Sequence, residues 1–96
     1  MLLPLDPILH SELRLVITSF LMNEKLSDFS SIKEATGSSS GNISIQLKKL
    51  EDNGYIETKK SFKGSYPLTS CKMTKKGIRA FEVYSQNIKE YLKVKK

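Results

Sequence analysis

The clearest alternation of apolar and polar positions lies in Ser38-Ser39-Ser40-Gly41-Asn42-Ile43-Ser44-Ile45-Gln46-Leu47-Lys48-Lys49-Leu50-Glu51-Asp52-Asn53-Gly54-Tyr55-Ile56-Glu57. With Ile43 at zero on a wheel of about 100° per residue, Leu47 and Leu50 fall beside it. Gly41, Asn42, Ile45, Lys48 and Lys49 fall opposite. The pattern predicts a helix over about residues 39–53 with one face that packs and another that is left open, polar and basic. The serines ahead of it can cap the orphan N–H groups of its first turn, and Asn53-Gly54 supplies the left-handed stop favoured at helix ends.

The same periodicity places the other elements. Asp6-Pro7 before Ile8-Leu9 reads as a cap and first-turn proline, hence a short helical lead-in. Ser11 is expected to cap a first helix over about residues 11–22, with Leu13, Val16, Ile17, Phe20 and Leu21 as its buried stripe and Asn23 as its end. Leu26-Ser27 suits a very short strand. Asp28 can then cap a second helix over about 29–36, with Phe29, Ile32 and Ala35 inward and Gly37 as its stop. Two runs rich in strand formers follow, Tyr55 to Ser61 and Leu68 to Thr74, separated by an expected loop from Phe62 to Pro67. Together they predict a hairpin over about 55–74. Thr74 is placed to cap a last helix over about 75–92, whose apolar side (Ile78, Phe81, Tyr84, Ser85, Ile88, Tyr91, Leu92) is broader than a small core needs. Lys89, Lys93, Lys95 and Lys96 near its end complement the helix dipole. The expected fold is mainly α with a small β-hairpin, in one domain spanning residues 1–96.

Charge sharpens this picture because it is uneven. Residues 1–44 carry three Lys/Arg against five carboxylates, and residues 45–96 carry thirteen against five, so the net +6 is a −2 half followed by a +8 half. A basic half that begins inside the polar-faced helix fits a polyanion, since lysines near phosphates release condensed counterions. The plainer alternative is that the lysines only solubilise the surface. The hydrophobic content of 39% suffices for a packed domain. The apolar opening is broken by Pro4, Asp6 and Pro7, and there is no apolar run of about 18 residues, so a cytoplasmic location without membrane contact is expected.

The order helix, short strand, helix, turn, helix, hairpin, helix resembles the winged helix-turn-helix domain of small MarR- and ArsR-like transcriptional regulators. Five segments carry the resemblance: Asp6-Pro7-Ile8-Leu9-His10 with Arg14 in the next turn; Gly41-Asn42-Ile43-Ser44 leading to Leu47-Lys48-Lys49-Leu50-Glu51; Asn53-Gly54-Tyr55-Ile56; Phe62-Lys63-Gly64; and Met73-Thr74-Lys75-Lys76-Gly77. Together they cover about residues 6–92. The resemblance implies a dimeric regulator that lays its third helix in the major groove of duplex DNA and its hairpin beside or in the minor groove. The groove-facing positions would be Ser40, Asn42, Ile45, Gln46, Lys48 and Lys49. Asn42 and Gln46 carry the paired donor and acceptor that can read adenine, Ile45 could meet a thymine methyl, and the two lysines would hold phosphate. Gln46 lies only about 60° from Ile43 on the wheel, so it either reads a base or flanks the core. The hairpin tip departs from the resemblance: Lys63-Gly64-Ser65-Tyr66 has no arginine, the residue suited to narrow minor grooves. Backbone contact by Lys63 is expected instead, with Tyr66 either stacking, bonding a phosphate or packing.

Other chemistry is thinly supported. Cys71 and His10 are the only soft or imidazole donors, too few for the roughly four ligands of a metal sensor within one chain. Cys71 is expected to pack as a small apolar group, since a redox thiol needs exposure and a lowered pKa. Gly37-Ser38-Ser39-Ser40-Gly41 lacks the lysine and preceding strand of a phosphate loop. No catalysis and no cofactor are expected. The last helix keeps an approximate heptad spacing and, with Leu2, Leu3, Leu5, Ile8 and Leu9 of the lead-in, is the expected homodimer interface. Two recognition helices would then meet half-sites about one DNA turn apart. A small-molecule effector between the first and last helices is compatible with this scheme. The alternative is a winged helix that docks a protein partner and never binds DNA.

Overall fold

The computed structural model describes residues 2–93; the predicted lysines Lys95 and Lys96 lie outside the described residues. A single hydrogen-bonded turn at residues 7–9 comes first. The Asp6 carboxylate accepts from the Ile8 N–H at 2.8 Å and the Leu9 N–H at 3.4 Å, and the His10 N–H reaches the Asp6 carbonyl at 2.8 Å. Asp6 thus caps the lead-in. Its turn seats Leu9 fully inside the core.

Four helices and three strands follow: α1 Glu12–Met22, β1 Ser27–Asp28, α2 Phe29–Thr36, α3 Ser40–Asp52, β2 Ile56–Lys63, β3 Tyr66–Met73 and α4 Lys75–Leu92. The strands form one antiparallel sheet in the order β1-β3-β2. Asp28 serves two elements, since it pairs with Ser70 at the end of β1 while its carboxylate accepts from the Ser31 N–H at 2.8 Å to cap α2. That N–H bond, with Lys63 as a lesser cause, holds the Asp28 carboxyl below its ordinary pKa. Gly37, at φ +69°, ends α2 in the left-handed conformation.

The core is formed by Leu9, Ile17, Leu21, Ile32, Ile43, Leu47, Leu50, Ile56, Cys71, Met73 and Tyr84. Three expectations need correction. Val16 is 40% exposed, and its place in the buried stripe of α1 is taken by Thr18, whose hydroxyl is buried because it donates to the Arg14 carbonyl at 2.9 Å. Ser11 occupies the N-cap position of α1 but makes no side-chain cap bond. Ala35 faces solvent, leaving α2 with Ile32 as its only fully buried side chain.

The expected Phe62 to Pro67 loop is also shorter than its composition suggests. The ladder continues through Phe62↔Pro67 and Lys63↔Tyr66, so only Gly64 and Ser65 form the turn. Gly64 takes φ +64°, the left-handed value a two-residue hairpin loop requires. Pro67 is tolerated because β1 pairs with only Ser70 and Cys71, which leaves β3 an edge strand at the proline.

Two separated segments meet at the root of α4. The Thr74 hydroxyl accepts from the Gly77 N–H at 2.9 Å and donates to the Gly54 carbonyl at 2.6 Å, while the Thr74 N–H bonds the Tyr55 carbonyl at 3.1 Å. A Cβ built on Gly77 would lie 2.0 Å from the Tyr55 carbonyl oxygen. Only glycine permits this approach, so Asn53-Gly54-Tyr55 and Thr74-Lys75-Lys76-Gly77 are the two halves of one junction.

Candidate nucleic-acid interface

The α3 helix divides by face as its wheel predicts. Ile43 and Leu50 are fully buried and Leu47 nearly so, while Ile45 is 65% exposed. Ser40, Asn42, Lys48 and Lys49 share the exposed side with Ile45. Both ends are fixed: the Ser39 hydroxyl accepts from the Asn42 N–H at 3.2 Å, and Asn53 caps the C-terminus before Gly54 turns at φ +77°. The rigid body beneath the helix therefore sets the direction in which these side chains project.

Lys48 pairs with Asp52 at 3.4 Å, one turn along the same helix. Both are well exposed, so the pair is weak and its lysine can exchange a carboxylate for a phosphate at little cost. Lys49, Lys60 and Lys63 take part in none of the ion pairs found among the described residues.

Gln46 is partly buried at the margin of this face, and it is engaged on both sides. Its Oε1 accepts from Arg14 Nη1 at 2.6 Å, and its Nε2 donates to Asn42 Oδ1 at 3.3 Å. Asn42 Nδ2 in turn donates to Ser38 Oγ at 3.1 Å. Arg14 is the residue that sequence reasoning left without a role. In the sequence it is marked by its place in the first of the five segments that carry the resemblance, and by the absence of any other lysine or arginine before Lys25.

The hairpin stands beside α3. Thr58 donates from its hydroxyl to the Glu51 carboxylate, and Ser44, Lys48, Thr58, Lys60 and Thr69 line the groove between helix and sheet. Strand alternation carries the same face outward from Thr58 to Lys60 and then Phe62. Phe62 is 75% exposed and Tyr66 78% exposed. Tyr66 therefore does not pack against the body of the chain. The sequence pattern predicts a loop from Phe62 to Pro67, where strand parity does not apply, and so gives no sign of the outward place of Phe62.

The residues expected at a dimer interface fall into two sets. Leu9 and Tyr84 are buried within the chain itself, with Tyr84 Oη 2.9 Å from His10 Nδ1. They support the surface from beneath and do not form it. Leu5, Ile8, Phe81, Ser85, Ile88 and Tyr91 are partly buried, and Ile78 and Leu92 are exposed. The lead-in lies along α4, where the Tyr91 hydroxyl donates to the Leu3 carbonyl at 2.8 Å.

Remaining groups have structural explanations. Cys71 is fully buried, and burial, followed by the Glu51 carboxylate, pushes its thiol up to about 11. A thiol so protonated is a poor nucleophile or redox sensor. Tyr55 is raised to about 12 by burial and by its hydrogen bond to the Asp6 carboxylate. Among the described residues no group of three His, Cys, Asp or Glu side chains could hold a metal ion, and no helix is long and apolar enough to cross a membrane. An open cleft lined by Leu21, Met22, Met73 and Ile78 separates the end of α1 from the start of α4.

Comparison with known proteins agrees with this fold. The chain is 37% identical over 81 residues to an uncharacterized protein of Methanocaldococcus jannaschii, covering 84% of this chain and 88% of that one. Its fold is similar to that of a transcriptional regulator homologue from Pyrococcus horikoshii, with TM-score 0.83 and 27% identity over 88% of this chain and 84% of the other. A mutant MarR from E. coli, solved in complex with operator DNA, superposes with TM-score 0.70 at 16% identity, over 79% of this chain and 54% of that protein. That last likeness is one of fold. Residues 13–92 match the family model described as a winged helix DNA-binding domain, and with helix order, sheet and hairpin in agreement the chain belongs to that winged helix family.

Proposed function

We propose that this protein is a transcriptional regulator that binds specific sequences in double-stranded DNA as a homodimer. The observation that carries the reading is the division of α3, whose Ile43, Leu47 and Leu50 are consumed by the core while Ser40, Asn42, Ile45, Lys48 and Lys49 project from a capped, rigid helix. In this scheme α3 enters the major groove, where Asn42 and Gln46 meet base edges, Ile45 meets a thymine methyl, and Lys48 and Lys49 meet phosphates. The hairpin lies along the adjacent backbone, with Lys63 on phosphate and Tyr66 available to stack. A MarR solved on operator DNA with the same fold supports this placement. Such a protein acts in the cytoplasm.

The homodimer would form through α4 and the lead-in. Ile78, Phe81, Ile88 and Leu92, with Leu5 and Ile8, retain enough exposure to meet a second copy, and an apolar face of this kind is rarely left in water. Two copies would double the phosphate contacts and set the spacing of half-sites.

Selection from a random duplex library, performed in parallel with the Lys48→Ala/Lys49→Ala double variant, tests the reading. Enrichment of a two-fold symmetric site by the wild-type protein, lost in the variant, is the expected result. A folded protein that enriches no sequence would move the assignment to a winged helix that docks a protein partner.

A further inference from the structure

The row Arg14, Gln46, Asn42, Ser38 runs in one chemical direction, and its direction is imposed at the arginine end. A guanidinium has only donors. The atom of Gln46 that lies 2.6 Å from Arg14 Nη1 must therefore be its oxygen. With Oε1 so engaged, the Gln46 amide nitrogen faces Asn42, which must present its own oxygen, at 3.3 Å. The Asn42 amide nitrogen is then left to donate to Ser38 Oγ at 3.1 Å. Neither amide could turn by 180° without opposing donor to donor or acceptor to acceptor.

Arg14 is itself held firmly. Its Nε donates to the Ile8 carbonyl at 2.6 Å, and Nη2 lies 3.5 Å from the Pro7 carbonyl. These carbonyls belong to the turn that Asp6 caps. All the recorded partners of Arg14 are neutral oxygens, so no carboxylate among the described residues competes for its donors.

We infer that Arg14 is a specificity-setting positioning residue, which fixes the orientation of the Gln46 and Asn42 amides and so determines which base they accept. This rests on the DNA-binding reading above. Each amide in the row retains one N–H and one lone pair for a partner outside the protein. Adenine offers N7 as acceptor and N6–H as donor in a fixed order along the major groove, and an amide matches that order in one orientation only. A freely rotating amide would accept more than one arrangement of base edges. Arg14 touches no base in this scheme and acts through Gln46.

The test compares wild type with Arg14→Met, Arg14→Lys, Gln46→Ala and the Arg14→Met/Gln46→Ala double variant. Methionine keeps an unbranched stem without donors, and lysine keeps a single donor. Two readouts are taken: base preference by selection from a random duplex library, and the side-chain amide resonances of Gln46 and Asn42 by NMR in the absence of DNA. The Gln46 amide should be ordered in wild type and averaged in Arg14→Met. Base preference at the positions under the first turns of α3 should fall by about fivefold or more in Arg14→Met, as expected for a lost bidentate contact. Arg14→Lys should restore part of it. The double variant should be no less selective than Gln46→Ala, because the arginine acts through the glutamine.

Unchanged base preference in Arg14→Met, or additive losses in the double variant, would overturn the inference while leaving DNA binding intact. An unchanged Gln46 amide in Arg14→Met would overturn it without reference to DNA. Failure of the wild-type protein to enrich any sequence would instead remove the DNA-binding reading, and the role of Arg14 with it.

Discussion

The two long helices α3 and α4 use their apolar residues in opposite ways. In the 13-residue α3, Ile43, Leu47 and Leu50 are all buried by the chain's own sheet and helices, and what remains outside is polar or charged apart from Ile45. In the 18-residue α4, only Gly77 and Tyr84 are buried, while Ile78, Val83 and Leu92 stay exposed. The molecule measures 57 × 25 × 21 Å, and this elongation fits a last helix about 27 Å long. A helix whose apolar side is already satisfied can offer its outer face to a charged polymer. A helix whose apolar side is not satisfied calls for another apolar surface. The contrast is the physical basis for assigning DNA to α3 and a second copy to α4.

The largest stability losses are expected at one position on each helix. Leu50→Ala should cost about 2–5 kcal/mol, because the cavity opens beneath α3 where rigid neighbours cannot collapse. Gly77→Ala should cost about 3 kcal/mol or more, since the added methyl meets a backbone carbonyl held in place by the Thr74 bonds. Denaturant unfolding measures both. A mild effect at Gly77 would mean that the root of α4 is loosely held, and the contrast between the helices would be weaker than drawn.

Surface substitutions should then separate the helices by function. Ile78→Ala and Leu92→Ala are expected to leave helix content unchanged while weakening self-association by about 1 kcal/mol or more each, read by sedimentation. Asn42→Ala, on the outer face of α3, should relax base preference by about 1–3 kcal/mol and leave self-association alone. Lys63→Ala should weaken all DNA sequences together and flatten the salt slope by roughly one unit. If the α4 variants altered base preference and the α3 variant altered association, the assignments would have to be exchanged.

The smallest effect is a dependence on alkaline pH. Cys71 and Tyr55 are raised from ordinary values of 9.0 and 10.0 to about 11 and about 12 in the folded chain. The unfolded chain therefore releases these protons first, and the native state binds more of them. The contribution of these two groups should be constant below about pH 9 and be lost as pH rises through 11 and 12. Tyr55→Phe should remove the upper part of that decline, as followed by chemical denaturation across the range.

Much of this was legible in the sequence where local chemistry determines the outcome. Ser39, Asn53-Gly54, Asp28, Gly37 and Thr74 mark helix ends by hydrogen bonding and backbone conformation within a few residues, and each sits at the boundary it signals. The inner face of α3 was equally readable, because a capped amphipathic helix has one way to bury three aliphatic residues. What escaped were long-range effects. Val16 lies on the predicted stripe, but the packing of α1 places Thr18 inward instead. Pro67 signals a break, yet β3 is an edge strand there and the ladder continues. Gly77 gains its meaning only from Tyr55, and Arg14 only from Gln46, which lies 32 residues away.

Titration of labelled duplex DNA at two salt concentrations, with the mass of the protein recorded in the same solutions, tests the central claim most directly. The expected result is tight binding by a dimer, with affinity falling steeply as salt rises because several lysines displace counterions. A well-folded dimer that binds neither random nor promoter-derived duplex at low salt would contradict it.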